Sequence, residues 1–72
     1  MNIAVLIKDE KEMKEFVRMT GKSVVSKNGY PVVATVNEMG GQLQCMGLHE
    51  ISEIEFLKSA GYTLLSIVND YN

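Results

Sequence analysis

Cys45 and His49 are the chain's single thiol and single imidazole, four residues apart. A cysteine beside a histidine suits nucleophilic catalysis, and both groups are zinc ligands. The spacing opposes both uses. Four residues align side chains on a helix, whereas the surrounding run reads as a strand and its end, and a tetrahedral site would still lack two of its four ligands. Cys45 therefore reads as a small apolar strand residue and His49 as a solvated loop residue.

Glu50, Glu53 and Glu55 form the other concentration of chemistry-bearing groups, and paired carboxylates perform acid–base catalysis. Their place just before and inside an expected helix gives a simpler cause, because the macrodipole favours negative charge at a helix N-terminus. Gly40-Gly41 would cradle a phosphate if a strand led through it into a helix, but here it separates two strands and reads as a turn. Neither G-x-G-x-x-G nor G-x-x-x-x-G-K-[ST] occurs. The expectation is a chain that is not an enzyme and has no cofactor and no metal.

Three sets of residues suit binding instead. Lys11, Lys14 and Arg18 recur at i, i+3 and i+7, opposite the apolar positions Met13, Phe16 and Val17, and Lys22 extends the stripe. Such a stripe meets an acidic protein or a phosphate backbone, although Glu12 and Glu15 flank it and no aromatic residue interleaves with basic strand positions. Gln42, Gln44 and Met46 alternate with Leu43 and Cys45, which marks one face of that strand as polar or partly covered. Met39, beside the two glycines, would make a flexible apolar contact at a hairpin tip.

The elements that position these residues follow from pattern and punctuation. Asn2 to Lys8 holds an aliphatic run short enough for a central strand. Asp9 with Glu12 has capping-box spacing, the helix after it presents Met13, Phe16, Val17 and Thr20, and Gly21 stops it. Residues 22–27 are expected as a short strand that turns at Asn28-Gly29 into a return strand from Tyr30 to Asn37, with Pro31 at its start or on an edge. Glu38 to Gly41 is expected as a looser turn, and Gln42 to Leu48 as a third strand of the meander. Ser52 with Glu55 is a second capping box, with Ile51 stapled to Phe56, for a helix running to Ala60 and stopped by Gly61. Tyr62 to Val68 is the last strand, and Asn69 to Asn72 a polar tail.

The order β-α-β-β-β-α-β implies an α+β fold: a two-layer sandwich with a mixed five-stranded sheet and two helices on one face. Residues 1–72 have room for one domain. Hydrophobic residues are 46% of the chain and charged residues 22%, a globular composition, and the net charge of −2 implies no general attraction to nucleic acid. One cysteine excludes an intrachain disulfide, and a core this small supplies about 3–5 kcal/mol, so packing, self-association or a partner must add support. The apolar run after Met1 lacks the features of a signal peptide and no run is long enough to span a membrane, which with the unpaired thiol makes the cytoplasm the expected compartment.

Two helices on one face would leave the other face of the sheet bare. The reading that follows is a small non-catalytic protein-binding module, a regulator or inhibitor of phage or bacterial type. It would occupy a partner's surface or self-associate as a homodimer through Met39, Gln42, Gln44, Met46, Lys11, Lys14 and Arg18. The alternatives are a nucleic-acid-binding protein using Lys11, Lys14, Arg18 and Lys22, and a small-molecule-binding regulatory dimer.

Overall fold

The computed structural model describes residues 2–21 and 29–67. Its elements are β1 (Asn2–Ile7), α1 (Glu10–Thr20), β2 (Val32–Met39), β3 (Gln42–Glu50), a 3-10 turn (Ile51–Glu53), α2 (Ile54–Ser59) and β4 (Thr63–Ser66). The expected strand over residues 22–27, its Asn28 turn, Val68 and the C-terminal tail lie outside the described residues. Among those residues the sheet has four strands in the order β3-β2-β1-β4, with β1 antiparallel to β2, β2 antiparallel to β3 and β1 parallel to β4. The fold is α+β with a mixed sheet.

The helices do not share a face. Met13 and Phe16 of α1 cluster with Ile3, Val5, Ile7, Val32, Ala34 and Val36, whereas Leu57 of α2 clusters with Ala4 and Val33. Successive strand residues point to opposite sides, so α1 and α2 cover opposite faces and the expected two-layer sandwich becomes three layers. This explains why β1 is aliphatic from Ile3 to Ile7: a strand buried on both sides has no polar phase. The 3-10 turn and α2 carry the chain from the β3 edge of the sheet to the β4 edge, across the face opposite α1.

Local signals set α1 firmly. The Asp9 carboxylate accepts from the Glu12 N–H at 2.9 Å, while the buried Glu12 carboxylate accepts from the Lys8 N–H at 2.9 Å. The reciprocal bond of the capping box thus lands one residue ahead of the cap, closing the corner between β1 and α1. Gly21 ends the helix at φ 68°, a left-handed conformation that a Cβ would oppose, and its N–H donates to the Val17 carbonyl at 2.8 Å. Asp9→Ala is expected to cost about 1 kcal/mol, read as a lower urea midpoint with an unchanged slope.

The second helix departs from its sequence signals. Ser52 lies inside the 3-10 turn, neither helical start has a side-chain cap, and Ile51 and Phe56 are both exposed, at 42% and 70%. The expected capping box and staple do not form. Leu57, 3% exposed, is the buried residue of this helix. Tertiary burial of Leu57, with the half-buried Ile54 packed beside it, rather than side-chain capping, holds six helical residues in place. β4 is also shorter than expected, beginning at Thr63 and ending at Ser66.

No helix among the described residues is long and apolar enough to cross a membrane.

Candidate functional site

The β2–β3 hairpin positions the sequence-predicted contact residues. Val32, Val33, Ala34 and Val36 bury the inner half of β2, and the strand then runs on to Met39 as the pattern turns polar. Gly40 and Gly41, at φ 61° and 81°, make a two-residue turn between Met39 and Gln42, which pair across it. Positive φ at both turn positions matches the right-handed twist of a hairpin, and glycine adopts it without strain. The turn is tighter than expected, and Met39 belongs to the strand rather than the turn.

Between Thr35 and Val36 the register slips: Thr35 faces Gly47, Val36 faces Cys45, and Met46 is the extra residue of a β-bulge. The bulge breaks the alternation of β3. Leu43 and Cys45 lean to the α1 side, but beyond Met46 it is Leu48 that faces Ala34 on that side, while Gly47 and His49 lie on the α2 side. Cys45 and His49 are therefore separated by the sheet itself. The half-buried Cys45 thiol meets the Gly47 carbonyl at 3.9 Å, and no pair or metal site joins it to the imidazole. Among the described residues no group of three or more His, Cys, Asp or Glu could hold a metal.

Met39, Gln42 and Gln44 share one surface. The register puts Gln42 opposite Met39 and Gln44 opposite Asn37, all on the α2 side of the sheet. The cluster beneath α2 reaches only Val33 on this strand, so the tip of that face is left to solvent: Met39 is 59% exposed and Gln42 and Gln44 are exposed. Met46 is 64% exposed. Among the described residues β3 is an edge of the sheet, and residues 42–48 contain no charge. Edge strands are commonly guarded by lysine, proline or a bulge, and in this run β3 carries only the bulge.

On the α1 side, two adjoining shallow hollows of about 590 and 570 Å³ separate the end of α1 from the start of β3. Thr20, Gly21, Gln42 and Leu43 line both, with Gln44 to Met46 on one and Arg18 and Met19 on the other. The stripe on α1 is thereby divided. Arg18 reaches the β3 groove, whereas Lys11 and Lys14 are exposed and line neither hollow, and Lys22 lies outside the described residues. Arg18 is bound to Glu15 at 2.5 Å, and that hydrogen bond and charge raise its pKa further above its already high ordinary value. A guanidinium held this way is a permanent cation with one carboxylate already attached, a weaker phosphate ligand than a free one.

His49 is not a solvated loop residue. It is the penultimate residue of β3 and meets Glu53 at 2.6 Å, with the Thr35 hydroxyl at 3.5 Å on its other nitrogen. Thr35 carries no local sequence signal that marks it as a partner of the ring, whereas His49 and Glu53 stand at i, i+4. No protein-family model, no curated protein and no solved structure matches the chain.

Proposed function

We propose that the chain is a protein-binding module that acts by occupying a surface of its partner, with β3 as the docking edge and no catalytic step of its own. The observation that carries this reading is that β3 is, among the described residues, an edge without charge over residues 42–48, with exposed Met39, Gln42, Gln44 and Met46 at one end of the sheet. An unpaired strand edge offers a row of backbone donors and acceptors to an extended segment, and exposed methionines adapt to the apolar side chains that segment brings. Regulation or inhibition of the partner by occlusion follows from such docking.

Met46→Lys places a solvated charge on this edge without touching the core. It is expected to weaken capture of the partner from source cells at least tenfold, about 1.4 kcal/mol, while Lys58→Gln, on α2, leaves it unchanged. Retention of one protein by wild type, its loss with Met46→Lys, and slowed amide exchange along β3 in the complex support the reading. Equal retention by wild type and Met46→Lys, or recovery of nucleic acid without protein in a salt-sensitive manner, overturns it.

A further inference from the structure

His49 sits in a row of four groups drawn from three elements. Its Nδ1 is 2.6 Å from the Glu53 carboxylate on the 3-10 turn, and its Nε2 is 3.5 Å from the Thr35 hydroxyl on β2. That hydroxyl lies 3.3 Å from the Gly47 carbonyl on β3. An acid, an imidazole and a hydroxyl in line also occur in hydrolase triads, but Thr35 is 3% exposed and no substrate carbonyl reaches its oxygen.

Counting protons gives the row a different use. Both ends, an ionised carboxylate and a carbonyl, are acceptors only, so three links need three protons. A neutral imidazole brings one and the Thr35 hydroxyl another. With Nδ1–H given to Glu53, the single hydroxyl proton is divided between Nε2 and the Gly47 carbonyl, and both of those contacts are long. An imidazolium supplies the missing proton: Nε2–H donates to Thr35, and the hydroxyl is released to donate fully to Gly47.

We propose that Glu53, His49, Thr35 and the Gly47 carbonyl form a proton-operated clasp, in which uptake of one proton by His49 ties the 3-10 turn and the bulged half of β3 to β2. The charged group that meets the ring is Glu53; β2 and β3 present the neutral Thr35 and Gly47, Glu50 is exposed at the strand end, and Glu55 of α2 is engaged by Lys58 at 3.6 Å. Gly47 lies against the junction: a Cβ there would stand 3.8 Å from both Nε2 and the Thr35 hydroxyl, an ordinary van der Waals contact. The clasp is complete where the imidazole carries both N–H protons, and it lacks its third proton where the ring is neutral. It does not depend on β3 being a docking edge.

Because the chain has one histidine, ring signals are unambiguous. Imidazole nitrogen NMR along a pH titration, with thermal unfolding at a lower pH where the ring carries two N–H protons and a higher pH where it carries one, tests the clasp in the isolated full chain. In wild type and Thr35→Ser, the ring Nε2–H is expected to resonate at the lower pH with shifts at the Thr35 and Gly47 amides, and the melting temperature to rise by a few degrees. That rise is expected to vanish in His49→Gln and to fall by half or more in Thr35→Val. Equal rises in wild type and His49→Gln overturn the proposal. So does a ring that gains its proton while the Thr35 and Gly47 amides stay still, a result wild type alone provides if Thr35→Val does not fold.

Discussion

Phe16→Ala is expected to leave most of the chain unfolded at room temperature. Phe16 is 1% exposed and lies in the cluster that joins α1 to β1 and β2. Truncating a buried phenylalanine costs about 3–5 kcal/mol, from lost transfer energy and from the cavity left behind. A core of this size supplies about 3–5 kcal/mol in all, so the loss is comparable to the whole stability. Far-UV circular dichroism and urea titration check this: a folded baseline with a loss below about 1.5 kcal/mol, within the range of volume-conserving swaps, would contradict it. Phe16→Leu keeps most of the volume and is expected to fold.

Leu57→Ala is expected to cost about 2–4 kcal/mol and to release α2 before the rest of the molecule. The six-residue helix has no side-chain cap, and Leu57 is its buried anchor against Ala4 and Val33. Amide exchange should quicken first at Ala60 and Tyr62, whose N–H groups donate to carbonyls of Phe56 and Leu57. The same site tests the three-layer arrangement. Phe16→Leu and Leu57→Val act on clusters with no shared residue, on opposite faces of the sheet, so their costs are expected to add within about 0.5 kcal/mol. A larger coupling would mean the two helices share one core.

The parts of this fold that are legible in the sequence are those decided by neighbours in the chain. Asp9, Glu12 and Gly21 specify α1 because capping bonds and a left-handed stop are local events. Pro31 sits immediately before β2, as a residue without an N–H should. The second capping box does not form because Ser52 lies inside the 3-10 turn rather than at a helix start, and Leu57 is the residue that α2 buries. Which face each helix takes was hidden because β1 is apolar on both sides, so its pattern carries no information about sides.

The candidate site was legible in the same uneven way. Gln42, Gln44 and Met39 were found from alternation and turn chemistry, and register places them together. Lys11 and Lys14 were joined to them only by charge, and helix geometry keeps them apart from the β3 groove that Arg18 reaches. The row from Glu53 to Gly47 escaped notice because it depends on Thr35, twelve to eighteen positions away in the chain, and on one extra residue in β3 that no residue type announces.

That extra residue limits what the edge can recognise. A regular strand laid along β3 would read side chains in step over Gln42–Cys45 and out of step over Gly47–Glu50, since the phase changes at Met46. An ordinary peptide can satisfy one half or the other. Under the proposed docking, the segment it reads in one phase is about four residues long, unless the partner carries an irregularity of its own that restores the phase. In a complex formed as proposed, the bulge would serve as a ruler, setting the length of sequence that this edge can specify.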